Sequence, residues 1–152
     1  MNLEQIRAQN AFAERDGGFR GAHNGEVVKK IPAMIITGGF LGALAFASET
    51  KIQRQGRNNQ IRLVRRGHAN VFAAIISHIN RMREMGFEII PAIQIDGQSD
   101  ETLAQSLQQF AAGIRSADAL RAITAEAMAF LSYLRRFAKP GGEEQNDDND
   151  NH

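Results

Sequence analysis

The sequence predicts an all-α fold, in which a single compact bundle of about five helices is followed by a disordered acidic C-terminal tail. Apolar residues recur at three-to-four residue spacing in several windows, which is the period of one helix face. Ala, Met, Leu and Phe dominate over β-branched residues in the longest apolar stretch, and these residues favour a helix. The 152 residues suit one domain with a hydrophobic core.

The first helix is predicted from the spacing of Leu3, Ile6 and Ala13, and it should end before the glycine doublet at positions 17 and 18. Residues 15–25 contain four glycines and are expected to form a loop. The chain is therefore expected to leave the bundle briefly after its first helix.

The second helix is predicted from the nearly continuous apolar stretch between Glu26 and Glu49. Pro32 allows two alternatives: the regular helix begins near it, with proline in the first turn, or the helix is kinked. Small residues such as Gly38, Gly39 and Gly42 would let another helix approach closely.

The third helix is predicted after a break at residues 56–59. Apolar positions from Ile61 to Met82, among them Val64, fall on one stripe of a helix, and this is the clearest amphipathic signal in the chain. Gly86 should end that helix.

Two further helices complete the bundle. Residues 87–96 are interpreted as a packed connector, since Pro91 argues against a central strand. Ser99 is a predicted N-cap for a helix that reaches about Gly113, and the last helix should start near Ala117.

Charge is unevenly distributed along the chain. The formal net charge is +1, but five of the 17 acidic residues lie in the tail, which has no Lys or Arg. The remainder has 18 basic against 12 acidic residues, a net of +6. We therefore expect a basic helical domain at residues 1–139 and a disordered acidic tail at residues 140–152, because that tail has too few apolar side chains to offset the entropy of ordering.

Composition excludes several classes of protein. Without cysteine there can be no disulfide, thiolate zinc site or cysteine nucleophile, and a reducing cytoplasm is the natural location. The strongly apolar run Ile31–Ile36 is far shorter than the roughly 20 residues of a membrane span, and the N-terminus lacks the pattern of a signal peptide. We therefore expect a cytoplasmic protein that does not enter a membrane.

The strongest functional signal in the residues themselves is the stretch from Lys51 to Arg83, which contains eight Lys or Arg residues and no acid. A one-signed surface attracts polyanions, although an exposed face tolerated for solubility would look the same. Arginine outnumbers lysine fourteen to four, and guanidinium groups bind phosphate bidentately. Phe72 is the one aromatic residue in the stretch, so we expect contact with the sugar-phosphate backbone and little base stacking or sequence preference.

The residues that could carry chemistry form no recognisable active site. His68 and His78 lack the spacing of a helical metal site, and no cofactor or metal is expected. Glu126 is expected to pair with a nearby cation, since no second carboxylate or nucleophile is close in sequence. We therefore expect a protein that is not an enzyme.

Four segments carry a resemblance to a known family. They are Arg7–Ala11 (RAQNA), Lys29–Ile36 (KKIPAMII), Gly42–Phe46 (GALAF) and the last helix, Arg121–Ala138. In the amino-acid sequence and the order of these segments, the chain resembles the small helical subunit of the type III-B CRISPR RNA-guided effector, the Cmr complex. It departs from that pattern by having Tyr133 where a tryptophan is expected.

The resemblance implies a small non-catalytic subunit that assembles in several copies, side by side, along a crRNA-containing ribonucleoprotein. Its partners would be the other Cmr effector subunits, further copies of itself, and crRNA and target RNA. With the resemblance, the basic residues expected to contact RNA are Lys29, Lys30, Arg57, Arg62, Arg65, Arg66, Arg135, Arg136 and Lys139.

Two other classes of function are compatible with the residues. A free-standing helical nucleic-acid-binding module would share the basic stretch but need no sister subunits. A small enzyme with its site at the histidines is supported poorly.

Overall fold

The structure, a computed structural model, describes residues 2–16, 26–87 and 93–137. The described part of the chain contains five helices and one two-stranded sheet. In chain order these elements are α1 (Leu3–Asp16), α2 (Glu26–Ala47), β1 (Thr50–Gln55), β2 (Asn58–Leu63), α3 (Arg66–Glu84), α4 (Asp100–Gly113) and α5 (Ala117–Phe137). The prediction of about five helices is confirmed, whereas the all-α prediction is corrected by the sheet.

The predicted starts of α4 and α5 are confirmed. α5 begins at Ala117. At the start of α4, the Ser99 hydroxyl accepts a hydrogen bond from the Thr102 amide at 3.1 Å, and the Thr102 hydroxyl accepts one from the Ser99 amide at 3.1 Å. This capping box satisfies two amides that the helix leaves unpaired. Asp100 and Glu101 in the first turn complement the positive end of the helix dipole.

The second helix is kinked, and the kink lies at a glycine. Gly39 has φ 81° and ψ 162° in the middle of α2, a backbone conformation that is essentially restricted to glycine. Pro32 lies inside the helix rather than in its first turn, so the alternative of a helix that begins near the proline is wrong. After the kink, Phe40 and Leu44 are buried.

Substituting the kink glycine tests this geometry. Gly39→Ala is expected to lower the free energy of unfolding by about 1 to 3 kcal/mol, because alanine strains the backbone at a positive φ. Gly42→Ala is the control, since Gly42 has a helical backbone and both positions have open space around an added Cβ. Alanine at the control position should stabilise by about 0.5 to 1 kcal/mol. Equal urea midpoints for the two variants would contradict a kink at Gly39.

Residues 50–63 form a β-hairpin, which corrects the prediction of a break followed by a helix. β1 and β2 pair antiparallel, with Thr50 opposite Leu63. Gly56, with φ 62°, provides the left-handed conformation that a tight hairpin turn requires. An isolated two-stranded hairpin is marginal in water, so its attachment to the helices determines whether it persists.

The predicted apolar stripe of the third helix extended too far toward the N-terminus. α3 begins at Arg66, so Ile61 lies in β2 and Val64 lies in the connection. Both are largely exposed. They fall at helical spacing from the residues that follow, which made them resemble one more turn of the same helix. The remainder of the stripe, through Met82, is on the buried face of α3.

The hydrophobic core lies between the helices. Phe40 of α2 is edge-on to Phe72 of α3 at 5.6 Å and to Phe110 of α4 at 6.4 Å, measured between ring centroids. All three rings are buried, and edge-to-face pairs add to the free energy of burial. This aromatic cluster joins three helices that are far apart in sequence.

Part of the predicted connector is described. Residues 93–97 have no regular secondary structure, and the Asn80 side chain anchors them by donating to the Ile93 carbonyl at 2.8 Å and accepting from the Ile93 amide at 3.3 Å. Ile93 and Ile95 pack against the core, as expected for a packed connector. Residues 15 and 16, which were predicted to begin the loop, belong to α1. The rest of the predicted loop and the acidic tail lie outside the described residues.

Candidate nucleic-acid interface

The basic stretch of the sequence is divided between the hairpin and α3. In the hairpin, Lys51 lies directly opposite Arg62 and Ile52 opposite Ile61. Because successive side chains of a strand point to opposite faces, the basic pair and the isoleucine pair occupy different faces. Ile52 is 72% exposed, so the hairpin extends into solvent.

At the base of the hairpin, Arg65 is held by three contacts. Its guanidinium lies 2.6 Å from a Glu49 carboxylate oxygen, donates to the Phe46 carbonyl at 3.1 Å, and stacks 3.4 Å from the centroid of the Phe46 ring. Glu49 also accepts a backbone hydrogen bond from Val64 through its carbonyl, at 2.9 Å. Arg65 thus closes the end of the hairpin where the chain leaves α2.

Arg66 closes the other side of the same base. Its guanidinium forms an ion pair with one oxygen of Asp100, at the start of α4. The second Asp100 oxygen accepts from the Leu63 amide at 2.9 Å. Two of the basic residues predicted to contact RNA are therefore neutralised within the chain, where they attach the hairpin to the helices.

Lys30 lies on the same side of the molecule as Arg65. Burial lowers the pKa of His68, and the charges of Arg65 and Lys30 lower it further. The His68 ring is also edge-on to Phe46 at 5.9 Å. Lys29, the neighbour of Lys30 on α2, is exposed.

The remaining predicted contacts are on α5 and in the turn of the hairpin. Arg135 and Arg136 are exposed near the end of α5, and the Arg136 guanidinium lies 6.0 Å from the Tyr133 ring centroid. Arg57 is exposed between β1 and β2. Lys139 lies outside the described residues.

Lys51 was not among the contacts predicted from the sequence. It is an exposed residue of β1. The cross-strand register places Lys51 beside Arg62, and the helical spacing assumed for this stretch could not show that pairing. If the stretch had been predicted as a hairpin, the alternation of side chains between the two faces would have put Lys51 and Arg62 on the same face.

A cleft between the hairpin and the start of α4 carries charges of both signs. Its lining includes Arg62 and Arg66 as well as Asp100 and Glu101. The two carboxylates disfavour a phosphate inside the cleft. An anionic ligand is therefore better accommodated on the side of Arg62 that faces Lys51, because Lys51 does not line the cleft.

Glu126 belongs to a buried polar network between α1, α3 and α5. Arg7 donates to both of its oxygens at 2.7 Å, which confirms the prediction that this carboxylate pairs with a cation. The His78 Nε2 lies 2.9 Å from Glu126, and the His78 Nδ1 lies 2.9 Å from the Asn10 amide nitrogen. Since the amide nitrogen is a donor, Nδ1 accepts and Nε2 carries the proton toward Glu126.

Burial within this network sets the electrostatics of its groups. Burial disfavours the ionised Glu126 carboxylate, but the hydrogen bonds from Arg7 and His78 outweigh it, so the pKa of Glu126 is lowered. His78 is fully buried and stacks on the Phe130 ring at 4.2 Å. The network links α1, α3 and α5 through Arg7, His78 and Glu126.

The outer face of α2 is apolar and exposed. Ile36 is 75% exposed and Phe46 is 41% exposed. Among the described helices, α2 alone is long and apolar enough by composition to cross a membrane, a property that core helices of soluble proteins share. About two thirds of its most apolar stretch is not buried, so much of the apolar surface of α2 faces outward.

Comparisons with known proteins identify the family. The model of the family described as CRISPR-associated protein (Cas_Cmr5) matches residues 3–140, which is nearly the whole chain. Searches of curated proteins and of solved structures gave no match. The family match confirms the resemblance carried by the four sequence segments. The chain therefore belongs to the Cas_Cmr5 family of CRISPR-associated proteins, the small subunit of the type III-B Cmr complex.

Proposed function

We propose that this chain is a non-catalytic, cytoplasmic subunit of the type III-B Cmr ribonucleoprotein that acts in antiviral defence. It stacks in several copies along the complex, contacts the other effector subunits, and binds the backbone of target RNA and crRNA without sequence specificity. The family match over residues 3–140 is the observation that carries this proposal.

The distribution of charge supports contact with an RNA backbone. The hairpin contains exposed or partly exposed cations, among them Lys51, Arg57 and Arg62, and no acid. Cations on exposed elements bind phosphates whatever the base sequence. Because a guide-directed effector must accept any target that the guide specifies, a contact without base readout suits this role.

The apolar face of α2 supports association with other proteins. No charged residue occurs between Lys30 and Glu49, so α2 itself supplies no cation over that stretch. Exposed apolar surface marks an interaction site, and the family match favours another Cmr subunit as the partner. A subunit that is covered on one side by protein and faces RNA on another would need both kinds of surface.

Purification of the tagged full-length chain from its native cell at low salt tests the proposal. We expect the other Cmr subunits and repeat-derived guide RNA to be recovered, with more than one copy of this chain per complex. Mass spectrometry measures the proteins and their stoichiometry, and sequencing identifies the RNA. A subunit whose RNA contact is weak in isolation can still bind well in the assembly, since tethering raises the effective concentration.

Two outcomes would contradict the proposal. Recovery of the chain with unrelated RNA and no effector subunits would favour the free-standing nucleic-acid-binding module. Recovery with effector subunits, but with no loss of target-RNA affinity when the chain is omitted from the reconstituted complex, would exclude a role in RNA binding.

A further inference from the structure

We propose that the β-hairpin binds the RNA backbone, and that it does so with one face, formed by Lys51, Gln53, Gln60 and Arg62. This inference rests on the proposed function and assigns its RNA contact to a specific surface. The register places Lys51 opposite Arg62 and Gln53 opposite Gln60. The face therefore combines two cations with two amide side chains, which suit phosphate and sugar oxygens.

A hydrogen bond within this face orients Arg62. The Arg62 guanidinium donates to the Gln60 side-chain oxygen at 2.9 Å, which leaves other N–H groups of the guanidinium for a ligand. Lys51, Gln53 and Gln60 are exposed. The opposite face of the hairpin carries Ile52 and Ile61.

The cationic pair is unfavourable in the chain by itself. Like charges directly opposite each other on neighbouring strands destabilise the pairing. The hairpin has no acidic residue, and Asp100, which lines the same cleft as Arg62, is already paired with Arg66 and the Leu63 amide. An anion bridging Lys51 and Arg62 would remove this repulsion. The pair therefore destabilises the strand pairing when no phosphate is bound, and a bound phosphate relieves that destabilisation.

The attachment of the hairpin makes this face a rigid one. Arg65 with Glu49, and Arg66 with Asp100, anchor the two sides of its base. The Leu63 amide donates to Asp100 as well. A ligand-binding element that is already ordered loses less conformational entropy on binding. Arg65 and Arg66, which were predicted to contact RNA, thus position the hairpin instead.

Salt titration of the reconstituted Cmr complex tests the assignment. The probe is a target RNA that is complementary to the guide and shortened until its Kd is measurable. The double variant Lys51→Gln, Arg62→Gln should reduce the slope of log affinity against log salt by about 1.4 per copy of the chain that reaches the RNA, at about 0.7 per phosphate contact on single strands. Taking equal affinity of the two proteins at 1 M salt as the reference, this slope corresponds to a roughly 25-fold lower affinity per copy at 0.1 M salt.

Arg54→Gln is the matched control. Arg54 lies on β1 and is exposed, but strand alternation places it on the face of Ile52, away from Lys51. This variant should leave the slope nearly unchanged. Thermal unfolding of the double variant should show an unchanged or higher Tm, because the substitutions remove a cross-strand repulsion.

The outcomes separate this inference from the proposed function. If the double variant assembles and binds target RNA as the wild type does, while omission of the chain weakens binding, the hairpin assignment is overturned and the proposed function stands. If Arg54→Gln lowers the slope as much as the double variant, the assignment to one face is wrong. Failure of the wild-type chain to enter the complex would instead refute the proposed function.

Discussion

Phe40→Ala is expected to lower the free energy of unfolding by about 3 to 5 kcal/mol, as is typical for truncating a buried aromatic residue. Phe40 is 2% exposed and contacts Phe72 and Phe110 edge-on. Alanine would leave a cavity between α2, α3 and α4 and would remove both aromatic contacts. The loss should be large because Phe40 is among the largest fully buried side chains of the described residues and lies in the core shared by the three helices.

The neighbouring residue provides the control for this prediction. Leu41 is 37% exposed, so Leu41→Ala should cost less than about 1 kcal/mol. Urea unfolding followed by circular dichroism measures both variants. Similar midpoints for Phe40→Ala and Leu41→Ala would mean that the helix after the kink at Gly39 does not present Phe40 to the core.

Glu126→Gln is expected to cost about 2 to 4 kcal/mol at neutral pH. The carboxylate is buried and accepts from both Arg7 nitrogens and from His78. An amide of nearly the same shape removes the charge and turns one acceptor into a donor that faces those donors. Because Arg7 is 23% exposed, its guanidinium can regain some water, which keeps the loss below that of a fully buried pair.

The pH dependence of this loss has a defined sign. The pKa of Glu126 in the folded chain is below its ordinary value of 4.5, so ionised Glu126 stabilises the fold above about pH 4.5. That contribution disappears as the pH falls through the lowered pKa. The difference in unfolding free energy between wild type and Glu126→Gln should therefore be constant near neutrality and shrink in acid.

Comparison with the wild type isolates the effect of this one carboxyl. Burial raises the pKa of Glu14, and this contribution runs in the opposite direction with pH, but Glu14 is present in both proteins. Glu84→Gln, at the exposed end of α3, is the control and should change the stability by less than about 0.5 kcal/mol. A difference for Glu126→Gln that persists undiminished below pH 3 would contradict a lowered pKa.

The helices were predictable where local signals were sufficient. Ser99 and the acids that follow it indicate a helix start by their own chemistry, and the structure contains the corresponding capping box. The spacing of apolar residues in α3 and α5 likewise identifies their buried faces. Such signals operate over one or two turns and need no knowledge of the rest of the fold.

The hairpin was not predictable in the same way. Its strands carry Ile52 and Ile61 as their exposed apolar residues, so no alternation between buried and exposed positions marks them. What holds the hairpin in place comes from elsewhere in the chain, above all from Asp100 at the start of α4. A contact between residues 34 or 37 positions apart in sequence leaves no trace in local periodicity.

The candidate site, like the fold, could be predicted from the sequence only in part. An acid-free basic stretch can be read directly from the sequence, and it indicates a polyanion as the partner. Whether a given cation is available to that partner depends on which side chains it contacts in the folded chain. Arg65 and Arg66 meet carboxylates, whereas Lys51, which was not among the predicted contacts, is exposed beside Arg62.

About five helices, a basic domain and the family could all be predicted from the amino-acid sequence, because they depend on composition, short-range spacing or contiguous motifs. The hairpin, the kink of α2 at Gly39 and the sharing of Glu126 by Arg7 and His78 became visible only in the folded chain. These features depend on packing and on pairs of charges distant in sequence, and the free energy of such contacts exists only once the helices have come together.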